Sequence, residues 1–335
     1  MGVFKDLRHR LEYQLALFGA KRLQKGSQER AQAVGRALGR MAYALGVARG
    51  TAERNLERYL GVTDRRERAR IAKAAYENFG QTMTELAYLP ALDPASLDLQ
   101  YTFEGLEPLH AAQAAGQGIV CMSGHFGNWE WMGGAILRHG FKVTFLIGTQ
   151  SNPYIDRLFN QYRAHIGLEF VRIHSIRDGL RVLKHKGMVA LVGDQDGDKF
   201  GTFAPFFGVP ASTHSIGELL ARRSGSAMAF GVPVRLGPLR NHVKVHLIAP
   251  PPPELSEVQG TAHVLAEYNR LLEAEIRQHP EQWLWMHERF RSLPYQRLSG
   301  EPRRRAEAGE IAFDMQAQTW RECVGGEAIQ IPGWK

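Results

Sequence analysis

Between about residue 99 and residue 248, short apolar runs alternate with stretches of helical periodicity. That alternation is the strongest constraint on what the chain can fold into. The runs at 99–103, 119–123, 142–147, 169–173, 188–192, 228–233 and 242–248 read as strands, several of them apolar nearly throughout, as strands buried on both faces are. Helical patterns at 128–137, 154–165, 175–186 and 215–224 lie between several of them. Strands separated by helices predict an α/β fold, a mainly parallel central sheet flanked by helices on both faces. The proline-rich stretch 249–253 interrupts the pattern before a further helix at 260–278.

The flanks have a different texture. Residues 1–90 read as a helical region, with Asp64 the expected N-cap of a helix over 64–89. In the first 25 residues Val3, Phe4, Leu7, Leu11, Leu15 and Phe18 recur every three or four positions, with Lys5, Arg8, Arg10, Lys21 and Arg22 among and after them. Such an amphipathic helix can lie in a membrane interface, apolar side down, or pack on the core. Residues 91–295 form the expected α/β core, and 296–335 read as a polar, loosely attached tail.

Charge narrows the function classes. The 42 Lys and Arg exceed the 34 Asp and Glu by eight, and residues 1–73 hold 17 basic against 7 acidic side chains. The remainder is slightly acidic, with 25 against 27. Such a basic N-terminal end can face nucleic acid or an anionic membrane surface, whereas a broad nucleic-acid groove over the rest of the protein is not expected. No run reaches the roughly 18 apolar residues of a transmembrane span. Two cysteines, Cys121 and Cys323, rule out a disulfide scaffold and a Cys-rich zinc module. No G-x-S-x-G elbow, P-loop or H-E-x-x-H occurs.

The segment Gly118-Ile119-Val120-Cys121-Met122-Ser123-Gly124-His125-Phe126-Gly127-Asn128-Trp129-Glu130 carries the chemistry. A strand runs into a Gly-flanked turn and then a helix, the place where open α/β sheets bind ligands. His125 falls in the turn and Glu130 in the first helical turn, and a bend at Gly127 is expected to bring the carboxylate back to the imidazole. A carboxylate on one ring nitrogen fixes the tautomer, leaving the other to take a proton from a hydroxyl. A turn histidine followed by a helix-N-terminal Glu favoured by the dipole has the same spelling.

Residues 123–130 resemble the His-x4-acid motif of the glycerolipid acyltransferase superfamily, and more closely that of the late acyltransferases of lipid A biosynthesis. The likeness continues in order along the chain. Asn152-Pro153-Tyr154-Ile155-Asp156 with Arg163, then Gly193-Asp194-Gln195-Asp196 with Pro205-Phe206-Phe207-Gly208, match its second and third blocks. Pro280-Glu281-Gln282-Trp283-Leu284-Trp285-Met286-His287-Glu288-Arg289-Phe290-Arg291 matches its C-terminal signature. The resemblance implies a glycerolipid acyltransferase-like fold with His125 as general base and Glu130 as its orienting partner. It implies substrate-binding roles for Asn152, Arg163, Asp194 and Asp196, with Arg163 holding a phosphate or the acyl donor and Asp194 the better candidate of the two aspartates for orienting or substrate-contacting work. Phe206 and Phe207, with Phe203, border an acyl-chain channel or serve as ordinary packing. The implied donor is an acyl carrier protein or CoA thioester, with no metal or other cofactor. The acceptor is a hydroxyl or amine of a lipid A precursor or lysolipid. Backbone N–H groups near Gly124 or Gly127 are candidates for the oxyanion. Many members begin with a transmembrane helix; the amphipathic segment here implies peripheral attachment to the cytoplasmic face of the bacterial inner membrane.

Two other classes compete. Asp194-Gln195-Asp196 after an apolar strand is also how a metal-dependent glycosyltransferase holds a divalent cation. A non-catalytic lipid-binding protein would need no base at position 125.

Overall fold

The computed structural model describes residues 3–308, 310–315 and 318–323. Four helices come first: α1 (Val3–Gln24), α2 (Gln28–Ala44), α3 (Arg49–Arg58) and α4 (Arg65–Tyr88). Asp64 caps α4 as expected, its carboxylate accepting from the Glu67 N–H at 2.7 Å. Gly35 and Gly39 of α2 meet Gly80 of α4 so closely that a Cβ at either would overlap the facing backbone, and the two helices lock without intervening side chains.

The core then alternates. In chain order it contains α5 (Leu97–Gln100), β1 (Tyr101–Glu104), α6 (Glu107–Ala114), β2 (Ile119–Ser123), α7 (Trp129–Leu137), β3 (Val143–Ile147), α8 (Pro153–His165), β4 (Glu169–Arg172), α9 (Ile176–Lys184) and β5 (Met188–Val192). It continues with β6 (Thr202–Phe206), β7 (Val209–Thr213), α10 (Ile216–Ser224), β8 (Ala227–Gly237), β9 (Arg240–Ile248) and α11 (Glu257–Gln278). Seven strands make one sheet in the order β1-β9-β8-β2-β5-β3-β4. Every neighbouring pair is parallel except β8 and β9, which form a hairpin. This is the expected α/β class. The central strands have hydrophobic clusters on both faces: Val120, Met122 and Leu191 with Leu265, Tyr268 and Leu272 of α11 on one, Ile119, Met188 and Ala190 with Leu109 on the other.

Three features differ from expectation. First, β6 and β7 form a separate hairpin whose two-residue turn, Phe207-Gly208, has both residues at positive φ. That is the geometry a two-residue hairpin turn favours, although Phe is an unusual occupant. Second, the described part of 296–335 is folded rather than loose: α12 (Gly300–Glu307) precedes a hairpin of β10 (Ile311–Asp314) and β11 (Thr319–Glu322). Gln318 exchanges two hydrogen bonds with the Phe203 backbone, at 2.9 and 2.7 Å, and Phe313 meets the Phe203 ring edge-on. Residues 324–335 lie outside the described residues. Third, α1 both packs on the core and leaves its apolar stripe uncovered. Tyr13, Leu17 and Ala20 face the body of the protein, while Phe4, Leu7, Leu11, Leu15 and Phe18 are all more than 60% exposed. Among the described residues no helix is long and apolar enough to cross a membrane.

Candidate active site

Strand register builds the site. In the parallel pair β2/β5, Ser123 stands opposite Val192. Two residues beyond each strand end, His125 and Asp194 therefore emerge side by side at the carboxyl edge of the sheet. Asp194 accepts from His125 Nδ1 at 2.6 Å through Oδ1, and from the His125 backbone N–H at 2.8 Å through Oδ2. The indole N–H of Trp283 donates to the same Oδ2 at 2.8 Å. Burial alone would raise the Asp194 carboxyl, but the imidazole charge and these hydrogen bonds outweigh it and hold its pKa below the usual value. With Nδ1 committed, Nε2 of the half-buried His125 has no protein partner among the described residues. The ring lies edge-on to Trp129, centroids 5.0 Å apart.

The expectation that Glu130 orients His125 is corrected by this geometry. Glu130 opens α7 on the far side of the Gly127 bend, and both its oxygens are taken by Arg163, from Nε at 2.8 Å and Nη2 at 2.6 Å. Arg163 also reaches Asn160 Oδ1 at 3.1 Å. Burial would lower the guanidinium's pKa, but the Glu130 charge and hydrogen bonds raise it. His125 thus touches the acid in the third block, and Glu130 joins Arg163 of the second.

Asn152 caps α8, its Oδ1 accepting from the Tyr154 N–H at 3.0 Å while Nδ2 donates to the His9 carbonyl and to Glu12 of α1. Asp196 is tied inward, with Oδ1 accepting from the Asp198 N–H and the Ser292 hydroxyl and Oδ2 from the Ser292 N–H. Phe206 is fully buried against Trp283 and Phe290, and Phe207 packs beside Trp283 and Trp285; Phe203 is buried beneath the C-terminal hairpin. The carboxylate oxygens of Asp194 and Asp196 face N–H and O–H donors, a set that suits hydrogen-bonded carboxylates rather than a divalent cation.

Other supports were not evident from the motifs. Gly127 sits at φ +52, and a Cβ there would overlap the Pro233 carbonyl oxygen. The Gly127 N–H donates to the Gln282 carbonyl at 3.0 Å, and its carbonyl accepts from Thr82 of α4 at 2.7 Å. Asn128 caps α7 and donates to buried Glu85, itself paired with Arg235 of β8. The N-terminal helices and the C-terminal signature therefore clamp the turn from both sides.

Beneath the turn, between the sheet and α7, lies a narrow apolar cavity of about 40 Å³. Trp129, Met132, Phe145, Val243, Cys121 and Ser123 are among its lining. Burial pushes the Cys121 thiol up to about 12, so it stays protonated and is no nucleophile near neutral pH.

A mainly parallel sheet with a carboxylate-backed histidine at its edge suits group transfer to an activated hydroxyl, and the comparisons make the class specific: this chain is an acyltransferase. It belongs to the family described as bacterial lipid A biosynthesis acyltransferase, whose sequence pattern matches residues 4–292. Over 246 residues it is 26% identical to the lipid A biosynthesis palmitoleoyltransferase of Escherichia coli, covering 72% of this chain and 78% of that one. The lipid A biosynthesis lauroyltransferase of the same organism is 25% identical over 244 residues, with the same coverage of each chain. A phosphatidylinositol mannoside acyltransferase of Mycobacterium tuberculosis is 30% identical over 183 residues, 52% of this chain and 58% of that protein.

Proposed function

We propose that the protein moves a fatty acyl chain from an acyl carrier protein or CoA thioester to a hydroxyl or amine of a lipid A precursor or lysolipid. The observation that carries this reading is His125, held by Asp194 at the carboxyl edge of the sheet with Nε2 left open. Nε2 takes the acceptor proton as the acceptor oxygen or nitrogen bonds to the thioester carbonyl carbon, whose π electrons move onto oxygen. The tetrahedral intermediate collapses with loss of the C–S bond, and the imidazolium returns the proton to the departing thiolate. The products are an ester or amide and a free thiol. Asp194 stabilises the transient imidazolium and fixes the tautomer. Glu130 and Arg163 serve as a buttress for the start of α7, with the rest of the guanidinium available to a donor or acceptor phosphate.

The apolar stripe of α1 and the basic residues around it support docking on an anionic bilayer, at the cytoplasmic face of the inner membrane where thioester donors are found. The test is transfer from acyl carrier protein and acyl-CoA donors by wild type and His125→Ala, with mass spectrometry of lipids from cells lacking the gene. Loss of transfer and one missing acyl chain are expected. Undiminished transfer by His125→Ala would remove the base, and an unchanged lipid profile would remove the acceptor class.

A further inference from the structure

The acyl-transfer reading leaves the developing oxyanion without an assigned partner, and three N–H groups of the turn are already committed. The N–H of His125 is given to Asp194, that of Phe126 to the Gly124 carbonyl and that of Gly127 to Gln282. Of the backbone donors expected near Gly124 or Gly127, the Gly127 N–H is therefore already paired.

Among the described side chains beside the turn, one buried hydroxyl is unpaired. Ser123 ends β2 and is 4% exposed, yet its Oγ has no hydrogen-bond partner. An unsatisfied buried hydroxyl is destabilising and calls for a reason. Along β2, Ile119, Cys121 and Ser123 point to the α7 face, and Cys121 and Ser123 both line the apolar cavity, whereas Val120 and Met122 face α11. A water in that lining would find too few polar partners to be held. The Ser123 backbone is fixed independently of its side chain: its carbonyl accepts from the Gly193 N–H at 3.0 Å and the Tyr268 hydroxyl at 2.7 Å. A rigidly mounted, unspent donor thus stands two residues before the base, at the edge of an apolar seam.

We infer that the Ser123 hydroxyl is the hydrogen-bond donor to the acyl carbonyl oxygen of the thioester, seating that carbonyl below His125 and stabilising the oxyanion formed on attack. This rests on the acyl-transfer reading. The hydroxyl keeps its proton throughout and forms no acyl-enzyme.

The test compares wild type, Ser123→Ala and Ser123→Thr in transfer kinetics, thermal unfolding and infrared spectra of a bound acyl-CoA methylene ketone, ¹³C-labelled at the carbonyl. For Ser123→Ala, kcat is expected to fall about 100-fold. Tm should stay level or rise, because an unpaired buried hydroxyl has been removed. The pH profile should keep its shape, the carbonyl band should move to higher wavenumber, and Ser123→Thr should recover part of kcat. A kcat within about threefold of wild type, or an unmoved carbonyl band, would overturn the assignment. So would parallel losses of kcat and Tm that Thr does not rescue. If wild type neither binds nor turns over acyl-CoA or acyl carrier protein thioesters, the acyl-transfer reading falls and this assignment with it. A defect confined to the variants separates the two.

Discussion

At the scale of single residues, the two carboxylates of the site have different work. Asp194 holds the imidazole, so Asp194→Asn, which turns one acceptor oxygen into an NH2 donor, should favour the wrong tautomer and lower kcat by about 10³–10⁴. Glu130→Gln leaves His125 and Asp194 in contact and weakens only the grip on Arg163. It should therefore cost much less in kcat and leave the midpoint of the acidic limb of the pH–rate profile, where the base sheds its proton, unmoved. If Glu130→Gln proved as damaging as Asp194→Asn and shifted that midpoint, the pairing described above would not be the one used in catalysis. The sequence hid this assignment for a simple reason. Five residues along the chain look near and sixty-nine look far, but parallel register makes positions 125 and 194 neighbours and the Gly127 bend sends 130 elsewhere. Asp194 was readable as an orienting candidate; its contact with His125 required knowing that β2 and β5 are adjacent.

At the scale of elements, the strands that could be read were those buried on both faces. Ile119–Ser123 and Met188–Val192 stand where their unbroken apolar runs put them, because burial on two sides removes the need for alternation. The β6/β7 hairpin was not legible: it contains Pro205 and Pro210, and Phe207 takes the turn conformation that Gly or Asn usually fills. The turn at His125 shows the opposite case, a glycine that is demanded. Gly127→Ala should cost at least about 1–3 kcal/mol from positive φ alone, with more from the overlap at Pro233, and appear as a lowered Tm. An unchanged Tm would mean the turn can relax. The α1 helix gives a separate expectation. Replacing Leu7, Leu11 and Leu15 by Gln removes apolar side chains that touch little of the protein, so Tm should hold. At about 1 kcal/mol per side chain partly buried in lipid, binding to anionic vesicles should fall about 100-fold. Vesicle flotation equal to wild type would assign the stripe to something other than a bilayer.

Across the whole molecule, two partly buried histidines, His287 of the C-terminal signature and His214 after β7, bear on stability in acid. Burial pushes His287 down, with Asp194 opposing the shift and His125 and Arg289 adding to it; burial and Arg289 likewise push His214 down. Neutral His287 accepts the Asp196 N–H through Nε2 at 3.0 Å, a bond that protonation abolishes. Because both histidines bind a proton less readily when folded, the unfolded chain gains protons first as pH falls. Their stabilisation is complete above about 6.5 and declines below it. Asp194, held low, loses its contribution only below the ordinary carboxylate range, in a separate window. Tm should therefore drop between pH 7 and 5, and His287→Gln, which keeps an acceptor for Asp196, should flatten that drop; an equally steep slope in the variant would place the titration elsewhere. The indole clamp on Asp194 has one more consequence. During synthesis His125 and Asp194 leave the ribosome long before Trp283 does, so a nascent chain holds the base and its carboxylate without the part that fastens them. On the proposed function, acyl-transfer competence is expected only once the final stretch of the core emerges, and fragments ending short of it should be inert even where their sheet has formed.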